Sequence, residues 1–281
     1  MSNILTKAML VKLSISQYNP RRADDVITRE VLENHKTNRD AGIWVKNIID
    51  PKTLSDVNST AMQARSTHYR LSLPWADDGW RILPTVMYTK YQDEVRDRKK
   101  EFDQAVSEFI NKYPQFVEDA RKVLNGMFNE KDYPSIMALR EKFGINVNFQ
   151  PLPCGSDFRV SLEGDELSAM KSDVDQRVKD AVETAMKDLW VRLAQPIKSM
   201  AEKLREADKV FRNSLIENVK EIVDLIPSLN VTGNAELAKI AKECSAQLIC
   251  HTAEDLRDNK EMRKEVQQAA EKLLKKMEGY I

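Results

Sequence analysis

Residues 170–211, MKSDVDQRVKDAVETAMKDLWVRLAQPIKSMAEKLREADKVF, decide the fold. Met170, Val174, Val178, Val182, Met186, Leu189, Leu193, Ile197, Met200, Leu204, Ala207 and Phe211 follow one another at steps of four or three. Such steps line one face of an α-helix, here roughly ten turns long. The average step slightly exceeds the helical repeat, so the pattern is not a strict coiled-coil heptad. Pro196 is expected to kink the helix, because its ring removes a backbone donor and crowds the preceding turn. The pattern extends through Leu215, Val219, Ile222 and Val223 to Pro227.

Beyond a turn at Asn230–Asn234, two more stripes follow: Leu237, Ile240, Cys244 and Leu248, then Met262, Val266, Ala270, Leu273 and Met277. The sequence therefore predicts a long-helix bundle over residues 164–281, with helices at about 165–226, 235–256 and 258–278. Upstream the composition changes: eight of ten prolines and 16 of 19 aromatic residues precede Gly164. Turn-formers and aromatics suit a mixed domain, so residues 1–163 are read as a small α+β head. Its first long helix, about 85–127, carries Tyr88, Tyr91, Val95, Phe102, Val106, Phe109 and Tyr113, with Pro114 as an interruption. Alternation in Leu10–Tyr18, Ile145–Phe149 and Phe158–Leu162 predicts three strands, the last two joined as a hairpin. The fold class is mainly α: a long helical hairpin or coiled-coil-like bundle carrying a head with a short β-sheet.

The apolar stripe needs a cover. Met186, Leu189, Leu193, Ile197, Met200, Leu204 and Phe211 are the candidate interaction residues, whether for a second copy of the chain or another protein. Charged residues make up 31% of the chain, yet 44 basic and 44 acidic residues cancel. That balance removes the simplest argument for a phosphate-tracking surface. The remaining nucleic-acid candidates are Trp75, Trp80 and Arg81, as a stacking platform, and the basic run Arg96, Arg98, Lys99 and Lys100. Packing of the tryptophans and i,i+4 ion pairing of the cations are the stronger readings.

Motifs for phosphate loops, dinucleotides, zinc proteases and nucleophile elbows are absent from the sequence. Cys244, Cys250 and His251 lack the spacing of a zinc site, and no cofactor is expected. Adjacent carboxylates such as Asp24-Asp25 and Asp77-Asp78 read as caps and turns. Three scattered cysteines and the lack of a long apolar run predict a reduced, cytoplasmic protein outside the membrane.

One order of features remains. Leu13-Ser14-Ile15-Ser16 precedes a helical stretch, and Leu83-Pro84 enters a helix bearing Tyr88, Tyr91 and Phe102 to Phe109. Tyr113-Pro114 then leads to Phe143-Gly144 and the β segment Val147 to Val160. This layout resembles, over roughly the first two-thirds of the chain, the bacterial and phage family catalogued as domain of unknown function number thirty-one fifty. The resemblance implies a phage or mobile-element protein in a bacterial host, encoded beside a MoxR-type AAA+ ATPase and a von Willebrand A-domain protein. It carries no catalytic residues. The expected function is therefore a non-enzymatic helical accessory protein, self-assembling or beside that ATPase. The alternative is a nucleic-acid-binding protein of phage replication or recombination.

Overall fold

In the computed structural model, which describes residues 2–76, 78–157, 164–205 and 211–281, the long periodic segments are helices and the alternating ones strands. In chain order the elements are α1 (Ser2–Lys7), β1 (Ala8–Ser16), β2 (Arg21–Ala23), α2 (Asp25–Asn34), β3 (Val45–Asn47) and α3 (Ser55–Leu71). Then come β4 (Leu73–Pro74), β5 (Trp80–Pro84), α4 (Tyr88–Leu124), α5 (Ile136–Arg140) and β6 (Gly144–Pro151). The C-terminal helices are α6 (Gly164–Arg205), α7 (Ser214–Leu229), α8 (Ala235–Gln247), α9 (Ala253–Asp258) and α10 (Lys260–Met277). The chain is thus mainly α with a small antiparallel sheet of order β4-β5-β1-β6, and β2 and β3 form a separate ribbon.

Two units divide the chain, and neither ends near Glu163. The first comprises residues 1–12, 69–91 and 148–281; the second comprises 13–68 and 92–147. The passages between them fall inside β1, α3, α4 and β6, in continuous secondary structure with no linker composition to mark them.

In unit 1, α6 packs along α10 and α7, and α8 packs on α7 and α10. Leu189, Leu193, Ile197 and Met200 are fully covered there, and Trp190, Ala194 and Ala201 widen the stripe into a second buried row. A helix buried on two adjoining faces needs two neighbours, and α7 and α10 supply them. In the same unit β1 and β5 pair antiparallel from Ala8↔Pro84 to Lys12↔Trp80. Gly155 approaches α6 so closely that a Cβ would lie 2.8 Å from the Lys171 carbonyl oxygen, so only glycine fits without a shift.

Unit 2 has its own core of Tyr18, Ile48, Val57, Phe102, Val106, Phe109, Tyr113, Leu139 and Ile145, with Phe143 edge-on to three of its rings. Asp24 caps α2, its Oδ1 accepting from the Val26 and Ile27 N–H groups at 3.2 Å each. A buried ammonium ties the unit's loops together. Lys46 Nζ lies 2.8 Å from Asp24 Oδ2, 3.0 Å from Asp132 Oδ2 and 2.8 Å from the Met127 carbonyl.

Several boundaries differ from expectation. Pro227 lies within α7 rather than ending it, whereas α4 and α6 continue through Pro114 and Pro196, as the expected spans of about 85–127 and 165–226 require. The helix expected over 165–226 is two helices, α6 and α7, because α7 starts afresh at Ser214. There the Phe211 carbonyl accepts from Arg257 Nε at 3.1 Å. The helix expected over 235–256 stops at Gln247; Thr252 and Asp255 then cap each other and start α9. The strand expected at Phe158–Leu162, Asp77 and Ala207 lie outside the described residues.

Candidate functional site

Phe211 ends the stripe, buried beneath Arg257 and Arg263, whose guanidiniums stand 5.6 and 5.3 Å from its ring centre. Met186 and Leu204 are buried as well. All seven candidate interaction residues are therefore covered by helices of the same chain, and the stripe's length does not call for a second copy.

The aromatic and basic candidates separate between the units. Trp75 is half-buried on the loop after β4, lining a hollow of about 570 Å³ with Pro153, Val174 and Arg177. Trp80 opens β5, and its cross-strand neighbour Lys12 holds its ammonium 5.9 Å from the indole centre while donating to the Asp78 carbonyl at 2.8 Å. Arg81 is committed internally. It donates from Nε to Ser72 Oγ at 2.8 Å and from Nη2 to the Ser72 carbonyl at 3.0 Å, and stands 4.8 Å over the Tyr69 ring. Arg192 Nη1 reaches the same carbonyl at 3.0 Å, and its Nε lies 2.7 Å from Asp188. Burial, followed by the like charge of Arg192, lowers the Arg81 guanidinium to about 10.

In unit 2 the basic run is neutralised along its own helix. Arg96 pairs with Asp93 at 2.7 Å, Arg98 with Glu101 at 2.7 Å and Lys100 with Asp97 at 3.1 Å. The spacing is i,i+3 rather than the expected i,i+4. Lys99 donates to the Ile145 carbonyl at 3.0 Å. Exposed pairs like these add little stability, but they alternate the sign of charge where a phosphate site needs a cationic stripe.

Cys244 faces the unit 1 core, and burial pushes its thiol up to about 12. Cys250 is exposed and Cys154 half-buried, with its Sγ 3.0 Å from Ser156 Oγ. Among the described residues no cluster of three or more His, Cys, Asp or Glu side chains has metal-holding geometry. Iodoacetamide at neutral pH is expected to alkylate Cys250 first and Cys154 more slowly, leaving Cys244 unmodified until denaturant is added. Mass spectrometry of tryptic peptides reads this directly, because only the thiolate reacts. Rapid Cys244 labelling of native protein would contradict its burial. No described helix is long and apolar enough to cross a membrane.

The surface that sequence reading missed lies at the β2–β3 ribbon of unit 2. Ile43, Trp44 and Val45 are 55%, 46% and 42% exposed, and Val26 at the start of α2 is 56% exposed. Their frame is fixed: the Trp44 N–H donates to Thr28 Oγ1 at 3.0 Å, and the Trp44 carbonyl accepts from the Asp24 N–H at 3.0 Å. The available signal was Ile43-Trp44-Val45 itself. Three consecutive apolar residues entering a strand cannot all point to one face, so a two-stranded ribbon exposes some of them. A scan against family models and searches of curated proteins and solved structures found no match to this chain.

Proposed function

We propose that this chain is a non-enzymatic helical interaction protein, the accessory member of a phage or mobile-element assembly, and that the ribbon of unit 2 engages its partner. The reading rests on Trp44, large, apolar and exposed on a backbone hydrogen-bonded at both its N–H and its carbonyl. Tryptophan held rigidly at a surface is the residue type most enriched among binding hot spots, because its large area is ready to bury with little entropy left to lose. Apolar neighbours make the patch larger than a scattered surface residue. The family resemblance supplies the kind of partner, a MoxR-type AAA+ ATPase acting with a von Willebrand A-domain protein. Self-assembly through α6 loses its motivation, since that stripe is covered within the chain.

The test is affinity purification of the tagged protein from its native host, with and without nuclease, as wild type and as Trp44→Ser. A nuclease-resistant complex with the ATPase and the von Willebrand A-domain protein is expected. Trp44→Ser is expected to cut recovery of these partners on the order of tenfold or more with little change in melting temperature. Recovery of the protein alone overturns the reading, and partners released by nuclease redirect it to nucleic acid.

A further inference from the structure

Unit 2 holds one more open apolar feature, a groove of about 520 Å³ beside the C-terminal half of α4. One wall is Ile48 and Ile49, both with buried side chains; the other is the α4 face bearing Phe116, Ala120 and Val123. The first wall is tied down before anything binds. The Ile48 carbonyl accepts from the Tyr133 hydroxyl at 2.6 Å, and the Ile48 N–H donates to the Pro20 carbonyl at 2.8 Å. Val123 stands on the rim, 83% exposed.

Charge distinguishes this groove from ordinary surface relief. Asp50 and Asp119 contribute one carboxylate to each wall, and no lysine or arginine lines it. Asp119 accepts from Gln115 Nε2 at 3.0 Å, and among the described residues its paired cation is Lys122 at 3.7 Å, itself mostly exposed. An apolar trough flanked by carboxylates on both sides complements a segment with an apolar face bordered by cations.

We propose that the groove receives one face of a basic amphipathic helix from a protein partner, a proposal that rests on the interaction-protein reading above. Helix is favoured over strand because the α4 wall presents side chains at steps of four and three, a ridge suited to packing a second helix. Phe116 to Leu124 spans about 12 Å of helix axis, room for roughly two turns of the incoming helix. Those turns would seat apolar residues at i, i+3 or i+4, and i+7, with Lys or Arg reaching Asp50 and Asp119.

The probe is a displayed library of helical peptides with leucine fixed at i, i+3 and i+7 and the flanking positions randomised, selected on the full-length protein. Lys and Arg are expected to enrich at the flanks. Val123→Arg, at an exposed position that leaves the fold intact, is expected to weaken the selected peptides on the order of tenfold or more, with an unchanged melting curve. Asp119→Lys is expected to shift the flank preference toward Glu and Asp. Selected peptides without charge preference, or indifferent to Val123→Arg, overturn the proposal. So does concentration-dependent dimerisation abolished by Val123→Arg, which would make a second copy the occupant. A native-host complex that survives Val123→Arg but is lost with Trp44→Ser removes the groove while leaving the interaction reading standing.

Discussion

Leu193→Asp is expected to unfold unit 1 at temperatures where the wild type is fully folded. Leu193 is completely buried in the C-terminal half of α6, with Leu189 and Ile197 one turn to either side and α7 and α10 packed on the helix. The substitution removes a packed isobutyl group, worth about 2–5 kcal/mol in large-to-small replacements. It also forces a carboxylate either to ionise without a partner or to bind a proton at neutral pH, at a further cost of several kcal/mol. Domains retain about 5–15 kcal/mol in total, so the sum removes most or all of the margin. Urea titration followed by far-ultraviolet circular dichroism reads the effect, and Met170→Asp near the exposed start of α6 is the control, expected within about 0.5 kcal/mol of wild type. A Leu193→Asp protein that melted like wild type but sedimented as a smaller species would contradict the intramolecular cover. The stripe would then face another chain.

This stripe was the most legible feature of the sequence, and its reading shows how far periodicity reaches. Helical steps reveal which face is apolar but not which neighbour covers it. Leu204, Phe211 and Leu215 keep the helical steps across the end of α6, so nothing in the pattern marks a stop. The chain just before the new start of α7 is held by Arg257, some 46 residues downstream, whose guanidinium donates to the Phe211 carbonyl and the Asn213 side chain. Pro227 misled in the opposite direction. A proline removes one donor, and a helix held by tertiary packing absorbs that loss at Pro227 as at Pro114 and Pro196. The capping pair Thr252 and Asp255, by contrast, is a local signal for the start of α9, and the helix expected over 235–256 passes over it.

Strands β4 and β5 were hidden for a related reason. Ile82, Leu83 and Pro84 are all buried, so β5 shows no alternation of apolar and polar residues. Pro74, Trp75, Trp80 and Pro84, across the two strands and the loop between them, imitate a turn instead. Among the candidate sites, the basic run was readable as a solvated face because its acidic partners lie within the same helix. The Ile43–Val45 surface was not singled out, since a short apolar run looks the same whether it is covered or left open. The division into two units was also illegible. The passages between units occur inside continuous helices and strands, where composition does not change.

Lys46→Met is expected to cost unit 2 about 3 kcal/mol at neutral pH, a large effect for a single charged side chain. The Lys46 side chain is only 7% exposed and neutralises two largely shielded carboxylates, Asp24 and Asp132. Methionine replaces its volume but leaves both acids without their cation, and it is that unpaired charge which destabilises. Burial alone would lower the Lys46 ammonium, but hydrogen bonds and charge from Asp24 and Asp132 outweigh it and hold the group above its ordinary 10.5. The Lys46 hydrogen bond, then the backbone N–H of Ile27, holds Asp24 below its ordinary 3.8. The signs follow from linkage. The depressed carboxylate contributes stability above its unfolded value, lost as pH falls through the lower folded one. The raised ammonium contributes below its unfolded value, lost as pH rises through the higher folded one. The wild-type advantage over Lys46→Met should therefore hold across neutral pH, shrink below about pH 4 and shrink again above about pH 11. Urea midpoints across that range check both arms. Adding Asp24→Asn and Asp132→Asn to Lys46→Met should recover much of the loss, since asparagine can still cap α2 while bearing no charge. A Lys46→Met variant within about 1 kcal/mol of wild type at neutral pH, or a deficit constant with pH, would show that the ammonium contributes as packing rather than as charge.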